Sequence, residues 1–277
     1  MGLRVNTNIQ ALASQRHLGT NNLSQQKALE RLASGSRINK AGDDAAGLAI
    51  SEKLKSQIRS MKQATRNAND GVSLVQVAEG AMNEISNIIV RMRELSIQAA
   101  SDTIGDTERQ YVDKEIQQLK SEVDRIANST EFNGQKLLNN SAPPLDIQVG
   151  INNNSELDRF VFDTQDKDST LSALGIGDLA AADKGSAQGN LEKLDTAMNR
   201  LSSNRANLGA LQNRLTSTIN NLMIYQENLG SANSRIRDTD IAEETSELTK
   251  SNILTQATVS VLGQANQNPQ LALKLIG

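Results

Sequence analysis

The sequence predicts a mainly α protein, built as a long antiparallel helical bundle or coiled-coil hairpin that carries a small β-hairpin. From Leu54 to Ala99 the apolar residues recur three or four positions apart, and no proline occurs before Pro143. Aromatic residues make up 2% of the chain and Trp is absent, whereas a large globular core normally relies on aromatic side chains. The packing must therefore come from aliphatic helix seams, which favours long paired helices over a thick interior.

The first and last segments predict helices with narrow apolar stripes. The first helix runs from about residue 6 to 33, and the last runs from about residue 239 to 273. A stripe this narrow does not offset the entropy lost when a helix becomes ordered. We therefore expect both ends to be largely unfolded alone and to pair on assembly, through Ile9, Leu12, Leu23, Leu29, Leu248, Leu254, Ala257 and Val261.

The two ends also carry opposite charges. Residues 1–42 contain six Lys or Arg and one Glu, whereas five acidic residues fall between Asp238 and Glu247. Opposite charges favour the pairing of the two terminal helices. The alternative is that both runs are only solvated faces, since ion pairs on a surface contribute little stability.

The central helices follow from the longest apolar seam. A helix that begins near Asp44, with Asp43 or Asp44 as its N-cap, and ends at Ala99 is about 80 Å long. Residues 101–106 predict a turn, and residues 107–127 resume the helical period, so the two helices are expected to lie antiparallel. Such a length exceeds the diameter of a compact domain, so the long helix needs other long helices beside it.

The periodicity changes from helical to alternating between residues 130 and 165. Asn133-Gly134 is a turn pair, and the alternation around Ile147 and Phe160 predicts one small β-hairpin. The helical seam returns at residues 187–230, which gives the third helix of the bundle. About twenty residues lie between the hairpin and this helix, too few for a further domain.

Composition argues against several classes of function. The net charge is −3 and aromatic residues are few, so no strip for binding nucleic acid is expected. No segment reaches the ~20 apolar residues of a membrane span, and residues 1–10 lack the apolar run of a secretory signal. There is no Cys and one histidine, His17. We predict no catalytic residues, no metal and no cofactor.

Several long motifs match a known family. These are residues 8–12, 32–39, 43–51, 78–86 and 91–95 in the first half, followed by 212–215, 234–236 and 264–267 near the end. Together they closely resemble the two terminal regions of bacterial flagellins, over roughly residues 3–140 and 187–277. The runs keep the same order along both arms, so chance similarity is not expected.

The resemblance implies a subunit that polymerises into the extracellular flagellar filament. It implies that residues 1–42 and 235–277 form an inner-tube coiled coil, and that residues 43–186 and 187–234 form a surrounding shell without an outer variable domain. It also implies type III export without a cleaved signal, a chaperone on the C-terminal segment, and contacts with the filament cap and hook-junction proteins. The nearest alternative is a hook–filament junction protein, and a sheathed or periplasmic filament is a further possibility.

One further surface is implied by the resemblance. Arg91 and Leu95 on the long helix and Glu115 on the next helix match flagellin residues that face a flagellin-sensing Toll-like receptor in the monomer and neighbouring subunits in the filament. The alternative is an ordinary ion pair between Arg91 and Glu115, with Leu95 packed between the helices.

Overall fold

The computed structural model describes residues 7–276, with side chains described as far as residue 267. The mainly α prediction is confirmed, and the described elements follow one another along the chain as α1 (Ile9–Ser34), α2 (Ala45–Ala100), α3 (Asp106–Ser129), β1 (Glu131–Phe132), β2 (Gln135–Lys136), β3 (Leu145–Gln148), β4 (Arg159–Phe162), α4 (Leu171–Leu174), α5 (Lys184–Arg237) and α6 (Ile241–Ile276).

The chain divides into two compact units. The terminal unit comprises Met1–Ser56 with Glu227–Gly277, and the central unit comprises Gln57–Gln226. Both α2 and α5 run from one unit into the other. The boundaries predicted near residues 42 and 235 concern layers of an assembly, and they stay predictions.

The central unit is a bundle of α2, α3 and α5 around one aliphatic core. Arg93 pairs with Asp195 at 2.7 Å and Glu79 with Arg205 at 3.9 Å, so α2 and α5 are antiparallel. We call its buried apolar residues the bundle seam: Ala68, Leu74, Val75, Ala78, Met82, Ile85, Ile89, Met92, Leu95 and Ala99 on α2, Val112, Ile116, Val123 and Ala127 on α3, and Ala187, Leu194, Ala197, Leu201, Leu208, Leu211 and Leu215 on α5. The predicted seam of the long helix is therefore the core of this unit.

A buried arginine closes the turn between α2 and α3. Nε of Arg109 donates to the carbonyl oxygen of Ala99 at 3.0 Å, and Nη2 donates to that of Ser101 at 3.0 Å. The last carbonyl groups of a helix have no partner within the helix. Arg109 therefore supplies donors at the end of α2, while Asp106 accepts from its Nη1 at 2.7 Å.

The segment after α3 contains two hairpins where the sequence analysis expected one. Asn133 and Gly134 both have positive φ, 49° and 79°, which is the two-residue turn that joins β1 to β2. β3 pairs with β4 in an antiparallel register that places Ile147 opposite Phe160. Two prolines, at positions 143 and 144, lie between the hairpins and interrupt strand pairing.

The residues between β4 and α5 pack against the bundle rather than forming another domain. Leu174, Ile176 and Leu179 belong to the same core cluster as the bundle seam. The carboxylate of Asp113 on α3 accepts from the backbone N–H of Ala181 at 2.7 Å. This segment therefore extends the core of the central unit.

Candidate assembly surface

The terminal unit pairs α1 with α6 in an antiparallel arrangement. Near one end of the pair, Nδ2 of Asn8 donates to the carbonyl oxygen of Ala265 at 2.7 Å. Near the other end, Nη1 of Arg31 lies 3.5 Å from a carboxylate oxygen of Glu244. The opposite charges expected at the two ends of the chain thus meet in this one ion pair among the described residues.

Small and polar residues form the contact between α1 and α6. The buried or half-buried positions repeat with alternating steps of three and four, as in a coiled coil. We call this set the terminal seam: Ala11, Ser14, Leu18, Asn21, Gln25, Ala28 and Leu32 on α1, and Glu244, Leu248, Ser251, Thr255, Thr258, Leu262 and Ala265 on α6. Of its four leucines, Leu248 belongs to the predicted assembly residues and Leu18, Leu32 and Leu262 do not, so the seam differs from the predicted stripe.

Most large apolar residues of the terminal helices lie outside the terminal seam. Between 44% and 68% of each side chain is exposed in a set that we call the outer apolar residues: Ile9, Leu12, Leu23 and Leu29 on α1, and Ile253, Leu254, Val259 and Val261 on α6. Of the other predicted assembly residues, Ala257 is exposed and Leu248 is half-buried within the terminal seam. Pairing of α1 with α6 therefore leaves most of the predicted stripe uncovered.

Sequence reasoning missed the terminal seam because it searched for large apolar residues. The signal that could have identified the seam is the strict three-and-four spacing of small and polar residues with four leucines in both end segments. Small side chains at these positions allow two helices to approach each other without burying much apolar area. The terminal pair is consequently a weak apolar contact within one chain.

The linkers that precede α2 and follow α5 are hydrogen-bonded to each other. The backbone N–H of Arg37 donates to the carbonyl oxygen of Arg237 at 2.6 Å, and that of Thr239 donates to Gly35 at 3.1 Å. Gly35 has a φ of 66°, the left-handed conformation that commonly ends a helix. These two bonds tie the segment that follows α1 to the last residue of α5 and to the linker before α6.

Two aspartates organise the linker that leads into α2. The carboxylate of Asp43 accepts from the backbone N–H groups of Asn39 at 3.2 Å and Lys40 at 3.0 Å. These backbone hydrogen bonds lower the pKa of Asp43 below 3.8. The side chain of Asp44 instead accepts from the N–H of Gly47 at 2.8 Å, so Asp44 is the N-cap of α2. The ion pair with Glu30 raises the pKa of Lys40.

The three residues of the predicted receptor surface lie close together but are not equally accessible. Nη2 of Arg91 lies 2.9 Å from Oε1 of Glu115, and Arg91 also contacts Glu94 at 3.1 Å. The hydrogen bonds with Glu115 and Glu94 raise the pKa of Arg91. Leu95 is 2% exposed and belongs to the bundle seam. The exposed part of this surface is therefore an ion-paired group on α2 and α3 above a buried leucine.

In the part of the chain that the structure describes, no group of three or more His, Asp or Glu side chains is arranged to hold a metal ion. Among residues 7–276, none of the helices combines the length and apolar character needed to cross a bilayer. The outer apolar residues are an exposed apolar feature of the described part of the terminal unit.

Two family profiles match most of the chain. The bacterial flagellin N-terminal helical region matches residues 5–142, and the bacterial flagellin C-terminal helical region matches residues 191–276. The first match ends between the two hairpins, and the second covers most of α5 and all of α6. The two matches therefore include both halves of the terminal unit and the three long helices of the central unit.

Known flagellins match over nearly their whole length. A flagellin of Halalkalibacterium halodurans is 45% identical over 272 residues, covering 98% of this chain and 99% of that protein. A flagellin of Bacillus subtilis is 45% identical over 303 residues, covering 99% and 100%. The crystal structure of Bacillus cereus flagellin has a TM-score of 0.51 and 34% identity, covering 57% of this chain and 88% of that one. The chain belongs to the bacterial flagellin family and is a structural subunit of the flagellar filament.

Proposed function

We propose that the outer apolar residues are the surface through which this chain polymerises with copies of itself. The single observation that carries the proposal is their exposure, between 44% and 68%, on both helices of a pair that buries mainly small and polar groups. A large exposed apolar surface on a soluble protein marks an interaction site. Repeated head-to-tail contacts that do not close into a ring produce an open helical polymer.

The proposed assembly places the terminal helices innermost. Residues 1–42 and 235–277 form the inner-tube coiled coil, and residues 43–186 and 187–234 with their hairpins form the shell. The contrast in packing supports this division, because the bundle seam is buried within one chain, whereas the outer apolar residues need other copies to cover them. The terminal helices then become fully ordered when they bind, as in coupled folding and binding.

The same exposed surface supports the proposed export partners. A chain whose terminal helices form only a weak contact can be kept extended and passed through a narrow type III export channel. A dedicated chaperone that covers the C-terminal segment before export would shield Ile253, Leu254, Val259 and Val261 from premature assembly. Polymerisation would follow outside the cell, beneath a cap protein and beyond the hook-junction proteins.

The surface around Arg91 is proposed to contact neighbouring subunits and, in the free chain, the flagellin-sensing Toll-like receptor. Arg91 and Glu115 are half-exposed and lie 2.9 Å apart, which gives the surface a fixed pair of opposite charges. Leu95 contributes from beneath by packing α2 in the bundle. A receptor would therefore contact the ion pair directly and depend on Leu95 through the position of α2.

The alternative of a hook–filament junction protein is less well supported. The matching relatives of nearly equal length are named flagellin, and the central segment packs against the bundle instead of forming an added domain. We also propose that the chain has no enzymatic activity, because its family is a structural one.

A charge on the outer surface tests the assembly proposal. In Leu254→Asp the carboxylate would have to be buried between subunits without a partner, so polymerisation should be lost while monomer helicity changes little. Gln256→Asp, an equal charge on an exposed position of the same helix, is the matched control. Sedimentation and electron microscopy measure the polymer, and circular dichroism measures the monomer. Normal filaments from Leu254→Asp would contradict the proposal.

A further inference from the structure

The terminal seam contains two amide side chains that bond across it. Nδ2 of Asn21 donates to Oγ1 of Thr258 at 3.3 Å, and Nε2 of Gln25 donates to Oδ1 of Asn252 at 2.7 Å. The remaining α1 positions of the seam carry Ala, Ser or Leu. A polar residue at an inner position of a coiled coil can specify how two helices are aligned, at a cost in stability. We propose that Asn21 fixes the register in which α1 and α6 pair.

The spacing of the terminal seam assigns an opposite position to each residue. In an antiparallel coiled coil, each inner residue of one helix lies across from an inner residue of the other. The contacts Asn8–Ala265, Asn21–Thr258, Gln25–Asn252 and Arg31–Glu244 are all consistent with one register. The facing positions that we infer for this register are Ala11 and Ala265, Ser14 and Leu262, Leu18 and Thr258, Asn21 and Thr255, Gln25 and Ser251, Ala28 and Leu248, and Leu32 and Glu244. Asn21 thus lies beside two threonines, each of which offers a hydroxyl group.

A slip of one heptad keeps the same faces in contact but changes the partner of Asn21. In one direction Asn21 would face Leu248, and in the other direction it would face Leu262. The observed partner of Asn21 is Thr258, three positions beyond the residue that it faces. Its place would be taken by Ser251 in the first slip and by Ala265 in the second. Ser251 still offers a hydroxyl group, whereas Leu262 and Ala265 leave the half-buried amide without a partner, which is costly. Gln25 would face Glu244 or Thr258 in the two slipped registers, and both can accept a hydrogen bond. Discrimination against the second slip therefore depends mainly on Asn21.

The register decides how the two halves of the assembly surface are aligned. A slip of seven residues moves α6 along α1 by about 10 Å, at ~1.5 Å per residue. The outer apolar residues of α1 and α6 would then no longer form the same combined surface. This consequence rests on the proposed function, whereas the register itself rests on the contacts within the terminal unit.

Engineered disulfides can report the register directly, because the chain contains no Cys. Ala11→Cys with Ala265→Cys reports the native register. Leu18→Cys with Ala265→Cys reports a slip in one direction, and Leu18→Cys with Ser251→Cys reports a slip in the other. None of these changes alters Asn21, Thr255 or Thr258. Each reporter chain is polymerised with an excess of Cys-free chain, so that assembly does not depend on the variant, and the disulfide yield is measured after mild oxidation.

The expected result is a change in the ratio of slipped to native disulfide. For the slip reported by Leu18→Cys with Ala265→Cys, Asn21→Leu should raise this ratio about tenfold, because the leucine removes the penalty for an unpaired amide in that register. Asn22→Leu, the same substitution on the adjacent exposed position, should leave the ratio unchanged. Asn21→Ser, which keeps a hydroxyl group in the seam, should stay near the wild-type ratio.

Two outcomes would overturn the inference at different points. An equal ratio in Asn21→Leu and Asn22→Leu would show that Asn21 does not set the register, and it would leave the proposed assembly surface standing. The chain with Ala11→Cys and Ala265→Cys, and with the rest of the seam unchanged, could enter filaments without forming its disulfide. That result would show that α1 and α6 do not pair in this way in the polymer. That second result would also remove the basis of the inner-tube proposal.

Discussion

The two helix seams of this chain differ in what they bury. The bundle seam of the central unit packs Met82, Ile85, Ile89 and other aliphatic side chains out of contact with water. The terminal seam buries Ala, Ser and Glu side chains, while residues as large as Leu23 remain 65% exposed beside it. Burial of an aliphatic side chain contributes about 1.5–3 kcal/mol. The comparison indicates that the central unit can be stable within one chain, whereas the terminal unit depends on other copies.

Deletion of residues 1–30 should have the largest effect on the difference between the two units. The deletion removes most of α1 together with Ile9, Leu12, Leu23 and Leu29, and it leaves the bundle seam intact. The truncated chain should stay soluble and keep the cooperative thermal unfolding of the bundle, but it should not polymerise. Circular dichroism and sedimentation test the two halves of this expectation. Filaments of normal yield from the truncated chain would refute it.

Truncation of one side chain in each unit tests the same contrast on a finer scale. Ile85→Ala leaves a cavity in the bundle seam and should lower the free energy of unfolding of the unassembled chain by about 2–4 kcal/mol. Leu23→Ala removes an exposed side chain and should change that free energy by less than ~0.5 kcal/mol. Denaturant unfolding followed by circular dichroism measures both. Equal losses would mean that the terminal unit is as well packed in the free chain as the bundle.

Replacement of Arg109 tests the polar closure of the bundle. Arg109→Met keeps much of the buried volume but leaves the carbonyl groups of Ala99 and Ser101 without their donors. We expect a loss of about 1–3 kcal/mol in the free energy of unfolding. Arg125→Met, at a largely exposed arginine of the same helix, is the control and should change little. Thermal unfolding of the two variants measures both losses of stability, and equal losses would contradict this expectation.

The linker before α2 should respond to acid through Asp43. Its folded-state pKa is lowered below 3.8, so its contribution is present above pH 3.8 and is lost as pH falls through the folded-state value. At pH 7, Asp43→Asn should reduce the hydrogen-exchange protection of the Asn39 and Lys40 amides. Below the folded-state pKa, the wild-type chain and the variant should converge. Asp70→Asn, at an exposed position on α2, should show no such difference at either pH.

Much of the central unit could be predicted because large apolar side chains dominate its stability. The seam from Leu54 to Ala99 is detected by spacing alone, and the structure places most of it in the core as α2. Asn133-Gly134 could also be predicted as a turn, because few other residue types adopt positive φ as readily as Asn and Gly do. The pairing of β1 with β2 was missed because strands of two residues are too short to show an alternating pattern.

The candidate assembly surface was predicted only in part. The sequence identified Leu254 and Val261 as residues that need a partner, and both are exposed in the terminal unit. It did not indicate that α1 and α6 would meet through a different face, because small and polar residues carry no strong burial signal. Similarly, the resemblance placed Arg91, Leu95 and Glu115 on one surface, but the ion pair of Arg91 with Glu115 and the burial of Leu95 between packed helices are seen only in the structure.

The sequence by itself determined the helical class, the aliphatic core of the bundle and the family, because these depend on spacing and on long ordered motifs. Only the tertiary structure decided which faces of the terminal helices touch, which residue of α6 accepts the hydrogen bond of Asn21, and which apolar residues stay exposed. The physical reason is that the spacing of apolar residues shows how much apolar surface a helix carries. The partner of that helix is selected by the fit of small side chains and by hydrogen bonds between residues distant in the chain.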